Sequence, residues 1–306
     1  MSFLIILPKR DPKIWIEALK SSDKTLEVET YPNIKDPEAV EFILSWKHPH
    51  GIFKKFPNLK VIASVGAGID HIISDPDIPA HIKITRMVDT QLTQDMSNFV
   101  LSLVLDRIRD ISFYHCHHKW EPKMYQRPEE LQVGIMGMGV LGIAVSQRLI
   151  NNGFRVKGWS KTPKKIPGLD SFHDQEQLDK FLKKTDILIC LLPLTSETEN
   201  ILNKDLFKKL PKNAYLINVA RGRHLVEKDL TEALRSGQLS GASLDVFREE
   251  PLPPDHDFWK EPKIRITPHI ASITNPSTVA PKIIENYRNM KNGKPLKNVV
   301  SRETGY

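Results

Sequence analysis

Apolar positions in this chain gather into short runs of strand length, and the stretches between them hold either turn residues or apolar residues at helical spacing. Phe3 to Leu7 is the first run, a buried-type strand, and Pro12 to Lys20 follows with Ile14, Ile16, Ala18 and Leu19 spaced as on a helix. Leu26 to Tyr31, Phe42 to Trp46 and Lys60 to Val65 read as three further strands. Alternation of this kind predicts a parallel sheet flanked by helices, a small α/β unit complete before Asp95.

From Asp95 to His118 the period changes. Val100, Leu103, Val104, Ile108 and Ile111 line one face of a single long helix, which Asp95 or Ser97 can cap. Beyond it, Gln132–Met136, Phe154–Trp159, Ile187–Leu192, Tyr215–Val219, Ala242–Val246 and Ile264–Ile266 make six strands, with helices between them and one helix ending at Gly237. Six is what a full doubly wound dinucleotide domain needs. From Asn275 a last helix built on Val279, Ile283, Ile284, Tyr287 and Met290 is expected to pack back on the first unit.

Composition narrows the class. At 306 residues the chain is about twice a common domain, so two domains are expected. The net charge of +7 raises nucleic acid as a partner, but the lysines are scattered and no nucleic-acid-binding motif appears. A basic surface equally suits anionic cofactors and small carboxylates. The two cysteines, Cys116 and Cys190, have no zinc or disulfide spacing and fit a reducing cytoplasm. His115, Cys116, His117 and His118 are ligand-type residues, but adjacent positions at a helix end point apart, so no metal is expected. The start of the chain reads as a strand rather than a signal peptide, and no run approaches the ~18 apolar residues of a membrane span.

The most specific stretch runs from Gln132 to Lys165. An apolar strand leads into Gly137, Gly139 and Gly142, a helix follows to Gly153, and a second strand ends at Trp159. That order turns a G-x-G-x-x-G into a dinucleotide fingerprint: a tight turn, close backbone approach to a pyrophosphate, and close packing of helix on strand. After the second strand an NAD-binding unit carries an acidic residue for the ribose hydroxyls. Here Ser160, Lys161, Thr162, Lys164 and Lys165 stand instead, two hydroxyls and three cations suited to a 2′-phosphate. NADPH is therefore the expected cofactor, with NADH weaker.

Ligands in such sheets bind beyond the carboxyl ends of the strands. Arg221 follows the strand ending at Val219, Glu249 and Glu250 follow the strand ending at Val246, and His269 follows the strand ending at Ile266. An arginine, a carboxylate and a histidine on one edge suit reduction of a 2-oxo acid. Arg221 holds the carboxylate and ketone oxygen with a planar fork, His269 protonates the alkoxide, and Glu250 orients the imidazole and favours its charged form. Trp46, near the end of an N-terminal strand, is a candidate wall of the substrate pocket, and Trp159 is expected in the core or a pocket wall.

SVGAGIDH at Ser64–His71, GMGVLG at Gly137–Gly142, LLPLTSET at Leu191–Thr198, NVARG at Asn218–Gly222, LDVFREEPLP at Leu244–Pro253 and TPHIA at Thr267–Ala271 together resemble the D-2-hydroxyacid dehydrogenases across nearly the whole chain. WIEAL at Trp15–Leu19, Trp46 with His48-Pro49, WSKTPKK and the RETGY tail look like the branch that reduces glyoxylate and hydroxypyruvate. The resemblance implies a Rossmann-type domain over residues 96–275, including the linking helix 95–118, and a flavodoxin-like substrate domain from residues 1–95 and 276–306. It implies Arg221 as substrate-binding arginine, Glu250 as partner and His269 as acid/base. Backbone amides at Val65 and Gly66 would take the substrate carboxylate, and Asp245 would contact the nicotinamide amide. Val140, Leu141, Leu192 and Pro193 join the cofactor-binding set, and a homodimer through the long helix is implied. Corepressors on the same scaffold offer a second possibility, a nucleotide-sensing interaction protein.

Overall fold

The computed structural model describes residues 2–8, 10–116 and 120–302. Two compact units emerge, one from residues up to Leu92 together with those from Thr274, the other from Thr93 to Ile273.

The first unit contains a five-stranded parallel sheet of β1 (Ser2–Ile6), β2 (Val28–Thr30), β3 (Val40–Ser45), β4 (Val61–Ser64) and β5 (Lys83–Thr85). Its order, β2-β1-β3-β4-β5, is the flavodoxin-like arrangement. One strand, β5, goes beyond the four read from the sequence: three residues are too few for a period to show. Helix α1 (Lys13–Ser22) buries Trp15, Ala18 and Leu19 while Ile14 points outward, 56% exposed. The short α2 (Asp70–Ile73) buries Ile72. The last helix of the chain, Pro276–Lys291, buries Val279, Ile283, Ile284 and Tyr287 on the sheet face that α1 covers. Tyr287 meets Phe3 and Phe42 edge-on at 5.6 Å, and Asn275 caps the start of that helix by accepting from the Ser277 N–H. Leu4, Ile6, Ile43, Ile62, Phe53 and Phe56 belong to a second cluster of the same unit.

Helix α3 runs Thr90–Arg109 and α4 Ile111–Cys116. The single helix expected from Asp95 to His118 thus starts earlier, at Thr90, and is broken at Asp110. Its cap is neither Asp95 nor Ser97 but Asp89, whose Oδ2 accepts from the N–H groups of Gln91 and Leu92. The polar first turns carry too few apolar residues to read as helix. Asp110 then interrupts it with φ +50°, and Asp106 starts α4 by accepting from both the N–H and the hydroxyl of Ser112. His117 and His118 lie outside the described residues.

The second unit contains β6 (Gln132–Met136), β7 (Arg155–Ser160), β8 (Leu169–His173), β9 (Ile187–Cys190), β10 (Ala214–Asn218), β11 (Leu239–Leu244) and β12 (Ile264–Ile266), all parallel. Their order, β12-β11-β10-β9-β6-β7-β8, is doubly wound, with the reversal between β6 and β9. Seven strands replace the six expected. The addition, β8, is an edge strand of sequence LDSFH with no fully buried residue, so it carries no apolar run. Helices α5 (Val140–Ile150), α6 (Leu178–Leu182), α7 (Lys204–Phe207) and α8 (Glu227–Arg235) connect the strands, and Pro276–Lys291 becomes α9. Two apolar clusters form the core, one around Phe181, Leu216 and Leu234, the other around Val104, Ile135 and Val145. Trp159 is buried in the first and donates its Nε1–H to the carbonyl of Asp174 at 2.8 Å. No helix among the described residues is long and apolar enough to cross a membrane.

Candidate active site

β6 ends at Met136, and Gly137 reverses the chain with φ +102°, a region open to glycine. Its N–H donates to the carbonyl of Trp159 at 2.8 Å, and a Cβ there would press on the backbone of Leu191. The turn therefore rests against the end of β9, where Leu192 and Pro193 follow. Gly139 is the N-cap of α5 and offers no capping side chain, so the first N–H groups of the helix keep no acceptor within it. Apart from its chain neighbours, no atom of the described residues lies within 4 Å of where a Cβ on Gly139 would stand. A positive helix end with open space in front of it, spanning Gly139, Val140, Leu141 and Gly142, is a fit for the pyrophosphate of a dinucleotide. Cys190 beneath the turn is wholly buried, and burial pushes its thiol up to about 12, which leaves it inert.

At the end of β7 the hydroxyl of Ser160 donates to the carbonyl of Thr162 at 2.8 Å, and Lys164 Nζ donates to Thr162 Oγ1 at 3.0 Å. Lys161 is not alone. Its Nζ lies 3.3 Å from Oε2 of Glu197, in the segment after β9. A carboxylate does therefore reach this loop, from a position far along the chain that the local sequence could not reveal. Both partners are well exposed, and such pairs exchange readily for another anion.

The ends of β10, β11 and β12 form the third element. Asn218 brackets the backbone after β10: its Oδ1 accepts from the Ala220 N–H at 3.2 Å and its Nδ2 donates to the carbonyl of Arg221 at 3.0 Å. His224, fully buried, sets Nδ1 3.1 Å from that carbonyl and Nε2 3.3 Å from the carbonyl of Pro193. A Cβ on the next residue, Gly222, would run into the backbone of Phe247 and Arg248, so only glycine lets these two loops meet. From the β11 side, Glu250 Oε1 accepts from the Phe247 N–H at 3.2 Å, and its Oε2 lies 2.9 Å from His269 Nδ1. The side chains of His269 and Glu250 are 34% and 21% exposed, open enough for a reactant to reach the imidazole.

His269 itself sits at φ +54°, which costs a side-chain-bearing residue ~1 kcal/mol or more. Asp245 holds it there. Its carboxylate is fully buried and accepts from the Thr267 hydroxyl at 2.6 Å and from the N–H groups of Ile270 and Ala271, each at 2.9 Å. Three of roughly four acceptor sites are spent on the turn around His269. The contact with a nicotinamide amide expected of Asp245 thus competes with a structural duty, and full burial removes it from easy reach.

In the first unit, Trp46 follows β3 and meets the tilted ring of His71 with centroids 4.3 Å apart, while the Arg10 guanidinium lies 5.2 Å from its ring. A Cβ on Gly66 would strike this indole. The two amides expected to take a carboxylate are both engaged: the Val65 N–H donates to the carbonyl of Ser45 at 3.2 Å, continuing the sheet, and the Gly66 N–H donates to Ser64 Oγ at 3.2 Å. Val65 is committed to the ladder. Gly66 has only a hydroxyl to release. Among the described residues no group of three or more His, Cys, Asp or Glu side chains gathers to hold a metal.

Comparison with known proteins decides the family. Residues 101–271 match the model for the D-isomer specific 2-hydroxyacid dehydrogenase NAD binding domain. The chain belongs to the D-isomer specific 2-hydroxyacid dehydrogenases. It is similar to glyoxylate/hydroxypyruvate reductase A of Yersinia enterocolitica, 36% identical, and of Serratia proteamaculans, 38% identical, each aligned over the full length of both chains. Among solved structures it resembles a family member from Xanthobacter autotrophicus Py2 in complex with NADPH and MES, at 39% identity and TM-score 0.95, covering 100% of this chain and 99% of that one. It also resembles the NADPH-dependent glyoxylate/hydroxypyruvate reductase of Sinorhizobium meliloti in complex with NADP and sulfate, at 36% identity and TM-score 0.93 over 100% of both chains.

For a dehydrogenase of this family the geometry adds three residues to those read from the sequence. His224 and Asn218 hold the backbone of Arg221, and Glu197 reaches the loop after β7. His224 stands in the GRH segment after the arginine, so its position in the sequence was visible, but its burial was not.

Proposed function

We propose that this dehydrogenase reduces small 2-oxo acids, glyoxylate and hydroxypyruvate first, with NADPH preferred over NADH. The observation that carries the reading is the 2.9 Å contact between His269 Nδ1 and Glu250 Oε2 on the strand-end edge that also bears Arg221. A reduced nicotinamide, held through its pyrophosphate at Gly139–Gly142, supplies hydride to the ketone carbon. The protein supplies the rest. Arg221 binds the carboxylate and ketone oxygen with its planar fork and offsets the charge that builds on that oxygen. With a proton on Nδ1 directed at Glu250, Nε2 of His269 faces the reactant and donates its proton to the alkoxide, leaving a hydroxy acid, neutral imidazole and oxidised cofactor. Glu250 fixes the ring, and Asp245 fixes the turn that carries it.

The unit built from both chain ends is the substrate domain in this reading, with Trp46 shaping specificity and the Gly66 amide released from Ser64 to meet a carboxylate. The central unit is the cofactor domain, with Ser160, Lys161, Thr162 and Lys164 meeting the 2′-phosphate. Exposed Ile111, Trp120 and Met124 support a homodimer. The test is the loss of NADPH absorbance when purified protein is mixed with NADPH and glyoxylate. Steady consumption supports the assignment, and none with either glyoxylate or hydroxypyruvate refutes it.

A further inference from the structure

The first unit contains a cavity of about 180 Å³ at the carboxyl ends of β4 and β5, with α9 along one side. Ser64, Thr85, Arg86, Lys282, Asn286 and Asn298 are among its lining residues. None of them belongs to the glycine turn or to the Arg221, Glu250 and His269 corner; Ser64 also accepts from the Gly66 N–H, but the inference rests on Arg86 and Thr85 and not on that amide or on the proposed reaction.

The cations around the cavity differ in how they are matched. Lys282 Nζ lies 2.7 Å from Asp89 Oδ1 and donates to the carbonyl of Val88, and Lys297 pairs with Glu285. Arg86 is unmatched. Its backbone N–H donates to the carbonyl of Asn298 at 3.1 Å, but its guanidinium has no hydrogen bond or ion pair among the described residues. Burial alone lowers its pKa from the usual arginine value, with no opposing carboxylate. The neighbouring Thr85 is 2% exposed, and its hydroxyl also has no partner among the described residues. Asn286, by contrast, spends both ends of its amide on the backbone of Lys297, which fixes one wall.

A guanidinium held partly out of water with no carboxylate beside it is an unmatched charge, and its planar donors fit the oxygens of a carboxylate or phosphate. We propose that this cavity binds a small oxoanion, held by the guanidinium of Arg86 and the hydroxyl of Thr85, with Lys282 adding long-range attraction. The volume sets the ligand class. It exceeds several water molecules at roughly 30 Å³ each but falls below the roughly 300 Å³ at which drug-sized ligand pockets begin. A phosphate ion or a short-chain carboxylate fits that range; a dinucleotide does not.

The experiment is calorimetric titration of the full-length chain with inorganic phosphate and, separately, with malonate. It uses the Ser160→Asp background, so that phosphate does not report on the cofactor loop. Binding of either probe that weakens about tenfold or more in Arg86→Gln and returns in part in Arg86→Lys supports the site. The probe that binds more tightly identifies the group. Should Arg86→Gln fail to fold, Thr85→Val serves instead, with a weakening of a few-fold expected. Affinities unchanged by these substitutions, or no binding of either probe to the unsubstituted background, overturn the proposal.

Discussion

At the corner of β10, β11 and β12 the functional side chains are held by buried partners, whereas at the end of β7 they are held by exposed ones. Asp245 is wholly buried and binds three groups around His269, and His224 is wholly buried behind Arg221. Lys161 and Glu197, by contrast, are 60% and 72% exposed, and the side chains of Ser160 and Lys164 bond only to Thr162 of their own loop. Buried hydrogen bonds are expensive to leave unmade, while exposed ion pairs are worth little and exchange freely. The corner is thus built to keep one geometry, and the loop to trade its own contacts for those of a ligand. Chemistry and cofactor choice should then respond to different substitutions.

The largest effect is expected at the corner's reactive end. His269→Ala should lower kcat for glyoxylate by about 10²-fold or more while NADPH binding, followed by fluorescence titration, stays near native. Unchanged turnover would remove His269 from the role of acid. Arg221→Lys should follow, with KM raised and kcat lowered together, because an ammonium cannot reproduce the planar fork in either ground or transition state. A native KM for glyoxylate in this variant would detach Arg221 from the substrate.

Asp245→Asn sharpens the comparison because it touches no reactant in the proposed reaction. An amide can accept at one end only, so the Ile270 and Ala271 N–H groups cannot both keep their partner, and His269 loosens. The expected loss is about 10-fold in kcat, with KM for glyoxylate little changed and the acid limb of the pH profile blurred or displaced. An enzyme that instead loses mainly NADPH affinity would show that Asp245 serves the cofactor. The smallest effect belongs to the loop. Glu197→Gln should tighten NADPH by roughly two- to fivefold by releasing Lys161, with kcat unmoved. A weakened NADPH affinity would mean that the pair orders the loop rather than competing for it.

Much of this division could be read before the structure, and the exceptions have physical causes. Gly137, Gly139 and Gly142 announce the turn because only their lack of side chains permits it, and the apolar runs of β6, β9 and β10 mark strands buried on both faces. Strands β5 and β8 escaped because one is three residues long and the other is a polar edge. Asp89 was missed as a cap because the first turns of α3 are polar, and Asp110 as a break because it is not glycine. Arg221, Glu250 and His269 were legible from their places after strands. Their support was not: Asp245 bonds across 22 to 26 residues, His224 reaches back 31 to Pro193, and Glu197 stands 36 from Lys161. Such pairings depend on strand order, which a single sequence does not spell out residue by residue. The engagement of the Val65 N–H with Ser45 is of the same kind, set by register between β3 and β4.

The separation of the two regions is tested most directly by kcat and kcat/KM for glyoxylate reduction with NADPH and with NADH, in the native chain and in Ser160→Asp. An aspartate at the end of β7 accepts hydrogen bonds from ribose hydroxyls and repels a 2′-phosphate, while the corner 60 or more residues along the chain keeps its buried contacts. The native chain should favour NADPH by roughly 5- to 150-fold in kcat/KM, and Ser160→Asp should favour NADH with kcat for its preferred cofactor close to native. Equal native efficiencies, an unmoved ratio in the variant, or a kcat that falls along with the preference would contradict the division between a rigid catalytic corner and an exchangeable cofactor loop.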